Sequence, residues 1–180
     1  MLMKKNAAAA ASLFLCLSTL IPPAFADQAY ARVNPTKEGS DLSGDFVFQE
    51  TEQGLRLSGT VSGLTPGKHG FHVHEFGSCG DAGKEAGSHF NPHEAKHGYL
   101  PEDKLHAAHA GDFGNLEADS TGKASVDITL PGLKVSGNPF AVAGRALIIH
   151  EKEDDFSQPL GNAGSRVGCG LIVISKSTAS

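Results

Sequence analysis

Gly70-Phe71-His72-Val73-His74-Glu75 says most about this chain, because it places a His-x-His pair inside a run of β-forming residues. Side chains of a β-strand alternate between its two faces, so His72 and His74 project from the same face. Neutral imidazole is a strong ligand for copper and zinc, and two rings on one face therefore make half of a metal site. Further candidate ligands follow at His89, His97, His109, Asp112 and His150.

Runs of alternating or β-branched residues recur on both sides of this stretch, and turn signals rich in Gly, Pro and Asp separate them. Seven of these runs predict strands, at 28–33, 45–50, 55–61, 69–75, 124–130, 145–151 and 170–175, and a weaker eighth is predicted at 112–118. Apart from a short turn near 81–86, no stretch of helical period follows residue 26. The sequence thus predicts an all-β sandwich or flattened barrel.

Two long stretches, 76–110 and 152–167, resist strand assignment. Loops of this length in a compact domain are usually functional or disordered. The first contains five of the nine histidines, and the second is rich in Gly, Asp and Ser and ends around Arg166. We therefore interpret both stretches as loops that a metal or a disulfide orders.

Residues 1–26 have the organisation of a secretory signal peptide. Lys4 and Lys5 precede an apolar run over 7–21, and Ala24-Phe25-Ala26 follows as a cleavage site of the Ala-x-Ala type. Cys16 lacks the preceding small residue expected of a lipidated cysteine, which favours a cleaved leader over a lipid anchor. Residues 27–180 are then expected to form a single exported domain of ordinary size, free of the membrane.

The charge balance excludes some classes of partner. The chain carries a formal charge of −5, and loss of the two leader lysines leaves 13 basic residues against 20 acidic ones, or about −7. An acidic protein is a poor partner for nucleic acid or anionic lipid. The net charge does not decide the charge of a small substrate, because such a molecule responds to the local field in a cleft.

Two cysteines, Cys79 and Cys169, remain once the leader is removed. Disulfides persist in the oxidising compartments outside the cytosol, so export favours one bridge between these residues. The alternative is a pair of buried free thiols.

Six motifs, taken in order along the chain, carry a family resemblance. They are Gly70–Glu75, Gly87–Pro92 (GSHFNP), Lys96–Gly98 (KHG), His109–Asn115 (HAGDFGN), Ile149–Asp155 (IHEKEDD) and Gly161–Gly170 (GNAGSRVGCG). The chain resembles the copper,zinc superoxide dismutases of the bacterial exported type over nearly all of residues 27–180. The resemblance implies an eight-stranded Greek-key fold, a periplasmic location, and conversion of superoxide and protons to dioxygen and hydrogen peroxide. It leaves the oligomeric state open between a monomer and a homodimer.

The resemblance also implies two sets of metal ligands. Copper would be bound by His72, His74, His89 and His150, and zinc by His89, His97, His109 and Asp112. His89 would then bridge the two metals. The chemistry of the donors agrees, because four nitrogens suit copper, whereas three nitrogens and a carboxylate suit tetrahedral zinc.

Further roles follow from the same resemblance. Asp154 would hydrogen-bond one ligand of each metal and so orient both rings; the alternative is an exposed loop acid. Arg166 would dock superoxide, and His89 would carry a proton to the departing peroxide. Leu160 stands where eukaryotic members place a threonine beside the channel.

Three histidines fall outside these sets. His69 is expected to be a structural core residue, because its spacing to His72 places it on the other face of a regular strand. His93 and His106 match no family position, and we expect both to be solvated, with weak accessory metal binding as the alternative.

Three classes of function compete. An enzyme explains the full copper set together with Arg166. An exported copper or zinc reservoir, or a chaperone, could use the same sandwich, since a fold does not define a function. A structural or adhesive sandwich would leave seven convergent ligands unexplained.

Overall fold

The fold is an eight-stranded antiparallel barrel with almost no helix, as the sequence predicted. A computed structural model describes residues 27–175. The proposed signal peptide and the last five residues lie outside that range. The strands are β1 (Gln28–Pro35), β2 (Ser43–Thr51), β3 (Gly54–Ser62), β4 (Gly67–His74), β5 (Asp112–Ala118), β6 (Ala124–Leu130), β7 (Ala146–His150) and β8 (Arg166–Ser175).

The strands form one continuous sheet in the order β5-β4-β7-β8-β1-β2-β3-β6. The two edge strands, β5 and β6, follow each other in the chain and lie in contact, so the sheet is nearly closed. The connections from β3 to β4 and from β6 to β7 cross between distant positions in the sheet, which makes the topology a Greek key. The structure therefore confirms the all-β Greek-key prediction.

Burial follows the period of two that the sequence predicted. In β1, Ala29, Ala31 and Val33 are buried, and the residues between them are exposed. Phe71 of β4 lies at the centre of the barrel and packs against Phe46, with 5.2 Å between the ring centroids. Burial of one such aromatic side chain stabilises the fold by about 1.5–3 kcal/mol.

Strand β4 departs from this alternation, because every residue from His69 to His74 is buried. Phe71 and Val73 belong to the barrel core, and the connections that follow β4 and β7 cover the opposite face. A β-bulge between Gly70 and His72 shifts the pairing with β5. The His-x-His face is thus closed off from solvent by loops rather than by another sheet.

The two long loops predicted from the sequence are present, with small differences at their ends. Residues 75–111 join β4 to β5, and residues 151–165 join β7 to β8, so Arg166 opens a strand instead of ending a loop. The short turn expected near 81–86 is a 3₁₀ turn at Lys84–Ala86. A single-turn helix, α1 (Leu100–Asp103), was not predicted, although Pro101 and two acids in its first turn are typical start signals.

Cys79 and Cys169 form a disulfide, with 5.7 Å between their Cα atoms. Cys79 lies in the β4–β5 connection and Cys169 in β8, so the bridge ties the long loop to the barrel wall. Within residues 27–175, no helix is long and apolar enough to span a membrane.

Candidate metal centre

The His-x-His pair of β4 lies on the face that the loops cover, and the other candidate ligands converge on it. Within the described part of the chain, three groups of candidate ligands meet there. The first is His72, His74, His89 and His150, and the second is His89, His97, His109 and Asp112. The third, His72, His97 and Asp154, joins members of the first two through one carboxylate. The candidate ligand atoms of each group lie within 4.8 Å of one another. No member is more than 6 % exposed. All seven predicted ligands are therefore brought together.

In the first ligand group, the Nε2 atoms of His74 and His150 point towards each other. The Nδ1 atoms of His74 and His150 lie 3.0 and 3.2 Å from the carbonyl oxygens of Gly87 and Gly164, to which they donate. In a neutral ring the second nitrogen is then an acceptor. The two Nε2 atoms nevertheless face each other at 3.3 Å. Two acceptors at this distance suit a shared cation, so the residues fit a bound metal.

His72 supports the same interpretation through an unpartnered atom. Its Nε2 donates to Asp154 Oδ2 at 2.7 Å, and its Nδ1 is buried without a hydrogen-bond partner. A buried polar nitrogen without a partner is costly unless something binds it. His72 belongs to the same ligand group as His74 and His150, so a metal held by that group can occupy this free nitrogen.

The second group is arranged around the carboxylate of Asp112. Oδ1 lies 2.8 Å from Nδ1 of His89 and 3.1 Å from Nδ1 of His109. Oδ2 lies 2.9 Å from Nδ1 of His97, yet that nitrogen makes no hydrogen bond. Three nitrogens beside one carboxylate match the donor set of a tetrahedral zinc site.

His89 belongs to both groups. Its Nδ1 faces Asp112, which leaves Nε2 for the group that contains His72, and the ring centroids of His72 and His89 lie 4.1 Å apart. One imidazole can serve two metals only after losing both ring protons, which becomes feasible when a cation lies at each nitrogen.

Asp154 connects the two groups from behind. Its carboxylate is fully buried and accepts hydrogen bonds from Nε2 of His72 at 2.7 Å and from Nε2 of His97 at 2.9 Å. Asn115 holds the backbone of Asp154 on both sides, at 2.9 Å to its carbonyl oxygen and 2.8 Å from its N–H. This arrangement is incompatible with the alternative of an exposed loop acid.

Burial and charge set the protonation of these groups. Desolvation, together with the charge of neighbouring His72, lowers the pKa of His89 to about 4 and that of His150 to about 3. For His97, desolvation also lowers the pKa, but the carboxylates of Asp112 and Asp154 outweigh it and raise the value to about 9. Buried anions that favour a cation at His97 also favour a metal ion there.

A cavity of about 480 Å³ opens beside the first group. His74, His89 and His150 line it together with Leu160 and Arg166. The guanidinium of Arg166 donates to the carbonyl oxygens of Gly83 and Gly87, and the hydroxyl of Thr36 donates to the carbonyl of Arg166 at 2.6 Å. A tethered cation at the cavity wall can bind a small anion next to the histidines.

Sequence reasoning missed the groups that hold Arg166 in place. Gly83 and Gly87 act through backbone carbonyls and Thr36 is distant in sequence, so no motif marks them as a set. Gly87 gave a partial signal, because it opens the quoted motif GSHFNP.

The structure assigns the three remaining histidines to other places. His69 is buried, and its ring nitrogens each lie 2.8 Å from a backbone carbonyl oxygen, of His150 and Thr65, which agrees with a structural role. The expectation that His93 is solvated is wrong. Its ring is partly buried, contacts Phe140 with 5.4 Å between the ring centroids, and donates to the carbonyl of Leu105.

His106 is exposed, as expected. Neither His106 nor His93 belongs to a group of three or more candidate ligands in the described residues.

Comparisons with known proteins agree with this geometry. Residues 42–172 match the family described as Copper/zinc superoxide dismutase (SODC). An extracellular Cu-Zn superoxide dismutase of Caenorhabditis elegans is 41% identical over 140 residues, which cover 74% of this chain but 62% of that longer protein. Superoxide dismutase (Cu-Zn) 5 of Dictyostelium discoideum is 40% identical, and the match covers 77% of this chain and 93% of that protein.

A solved structure is also similar. The crystal structure of the clock protein EA4 matches with a TM-score of 0.74 and 35% identity, and the match covers 84% of this chain and 97% of that one. The chain therefore belongs to the copper/zinc superoxide dismutase family, and it is an oxidoreductase that converts superoxide to dioxygen and hydrogen peroxide with copper and zinc as cofactors.

Proposed function

We propose that His72, His74, His89 and His150 bind copper, that His89, His97, His109 and Asp112 bind zinc, and that His89 bridges the two ions. The shared ring of His89 carries this proposal, since one nitrogen faces each ligand group. Bound copper supplies one-electron redox chemistry by alternating between Cu(II) and Cu(I), and zinc supplies a fixed cation.

Residues at the cavity and in the buried layer behind it would perform three tasks. Arg166 binds the anionic substrate through its guanidinium. His89 would take up one proton at Nε2 in one half of the cycle and give it to the departing peroxide in the other. A second proton from solvent would complete hydrogen peroxide, so that two superoxides and two protons yield one dioxygen and one hydrogen peroxide. Asp154 holds the rings of His72 and His97 in their orientations.

The alternative of a metal reservoir or chaperone is not favoured. Storage needs ligands alone, whereas this chain adds an open cavity and a tethered arginine beside the first ligand group. Metal analysis and a superoxide-decay assay on the same purified sample distinguish the two functions. We expect copper and zinc near one per chain each and a decay rate proportional to copper content. Full metal occupancy without activity would contradict the enzyme.

Asp112→Ala is expected to weaken zinc binding by roughly a hundredfold, because apparent free energies of zinc binding of about 10–16 kcal/mol are shared among four ligands. Copper content should change little, since Asp112 belongs to the second group alone. Competition with a chelator measures both affinities. Asp127→Ala, which removes an exposed carboxylate paired with Arg56, is the control. Wild-type zinc affinity in Asp112→Ala would contradict the ligand assignment.

We further propose that the protein is the bacterial exported type, released into the periplasm after cleavage of residues 1–26, with 27–180 as its single domain. Relatives named as extracellular enzymes and the Cys79–Cys169 bridge support export. The resemblance of the six sequence motifs to the bacterial exported type supports that branch of the family. The oligomeric state is proposed to be a monomer or a homodimer, which sedimentation equilibrium distinguishes.

The mature chain is expected to begin at Asp27, because Ala24 and Ala26 supply small residues at both positions that the cleavage rule requires. The intact mass of exported material measures this start directly. A start at another residue, or an added lipid mass on Cys16, would contradict it.

A further inference from the structure

Gln158, in the β7–β8 connection, holds the backbone of His97 at two points. The N–H of His97 donates to Oε1 of Gln158 at 3.1 Å, and Nε2 of Gln158 donates to the carbonyl oxygen of His97 at 2.8 Å. One side-chain amide thus occupies both hydrogen-bonding groups of a single residue. Gln158 is otherwise exposed, so this contact is not part of the barrel core.

The same connection contacts His97 at two further places. Asp154 accepts a hydrogen bond from Nε2 of the ring, and the ring of Phe156 stacks on it with 6.3 Å between centroids and 21° between planes. His97 itself belongs to the other long connection, between β4 and β5. One loop therefore holds the ring edge, the ring face and the backbone of a residue in the other loop.

Residues 154–161 of the β7–β8 connection are held in place by hydrogen bonds within the segment. The N–H of Asp155 donates to the carbonyl of Gly161 at 2.9 Å, and the N–H of Gly161 donates to Ser157 at 2.8 Å. Gly161 has a φ of +73°, and a Cβ there would overlap Oδ1 of Asp154 and lie 2.7 Å from Nε2 of His97. The chain has closed against the Asp154–His97 pair without space for a side chain.

We propose that Gln158 is a positioning residue that keeps Nδ1 of His97 directed at the zinc group and so sets how long that group retains its ion. The backbone contacts fix the Cα of His97, while Asp154 fixes its ring. Nδ1 then stays 2.9 Å from Oδ2 of Asp112 without a hydrogen-bond partner of its own. The inference rests on the proposed ligand assignment and adds a residue that belongs to neither metal group and acts through the backbone of His97.

Gln158→Met tests this role, because methionine keeps the side-chain length and removes both hydrogen bonds. From the copper- and zinc-loaded protein we expect zinc to be released to a chelator roughly tenfold faster, since outer partners of ligands are typically worth 10- to 100-fold in metal affinity. Copper release should stay within about twofold of wild type. With Co²⁺ in the zinc site, the absorption bands should shift. Gln53→Met, at an exposed glutamine in the β2–β3 turn, is the matched control.

Each other outcome overturns the proposal in a recognisable way. Zinc release from Gln158→Met at the wild-type rate would show that the contacts do not position His97. Equal acceleration of copper and zinc release, with a lower melting temperature of the metal-free protein, would show general loosening instead. Failure of the wild-type protein to bind zinc would overturn the proposed ligand assignment along with this inference.

Discussion

Replacing Cys79 and Cys169 together by alanine is expected to lower the free energy of unfolding by about 4–5 kcal/mol. The bridge joins residues 90 positions apart. In the entropic account, closing a loop of that size lowers the conformational entropy of the unfolded chain and so raises its free energy by about 4–5 kcal/mol. Denaturant unfolding of the metal-free protein measures the change, and metal removal excludes stabilisation by bound ions.

The bridge should also affect the cavity. Cys79 precedes the turn whose Gly83 and Gly87 carbonyls hold the guanidinium of Arg166. Without the bridge this turn is less restrained, so we expect activity to fall even under conditions where the variant is folded. Thiol labelling of the unreduced, denatured wild-type protein should find no free cysteine among residues 27–180. Two free thiols, or a variant as stable as wild type, would refute this account.

Arg166→Glu is expected to lower the second-order rate with superoxide by roughly 10- to 1000-fold, a range known for electrostatic steering, with superoxide dismutase among its examples. The guanidinium lies at the wall of the cavity that His74, His89 and His150 line. A glutamate there would repel a small anion in a chain that is already acidic. The rate should also stop falling as ionic strength rises, or should rise with it, because salt screens repulsion as well as attraction.

Further substitutions of Arg166 distinguish the effect of its positive charge from the effect of its hydrogen bonds. Arg166→Lys keeps the charge and loses the planar pair of donors to Gly83 and Gly87, so its rate should lie between those of wild type and Arg166→Gln. Lys123→Glu makes the same change in total charge at an exposed residue outside the cavity lining and should leave the rate almost unchanged. An unchanged rate and salt slope in metal-loaded Arg166→Glu would contradict steering by Arg166. The remaining candidates would be three lysines of the β4–β5 connection, Lys84, Lys96 and Lys104, since the resemblance to the bacterial type implies guidance by lysines of this loop.

Local sequence was enough to predict the strands and to indicate which side chains are candidate ligands. The alternation of Ala29, Ala31 and Val33 reflects a strand with one buried face, and the same period of two places His72 and His74 together. The motifs predicted all seven candidate ligands through the family resemblance that they carry, and the structure brings these residues together. Side-chain chemistry and strand period are properties of short segments, which a single sequence displays directly.

The order of the strands required the tertiary structure. Strand β1 pairs with β8 and β2, and β4 pairs with β7 and β5, so neighbours in the sheet are often far apart in the chain. Pairing between distant strands depends on the packing of the whole core, so the sequence of one strand does not show which strand it pairs with.

The partners around the ligands were likewise decided by the tertiary structure. His93 was expected in solvent but lies against the ring of Phe140 and the carbonyl of Leu105, which the fold brings to it from two other parts of the chain. Gln158 meets His97, and Gly83 and Gly87 meet Arg166, across two long loops. The sequence by itself predicted the candidate ligands and the strand period. The tertiary structure decided what holds those ligands in place, since backbone carbonyls and amides are the same at every residue and acquire a role only from the groups that the fold brings beside them.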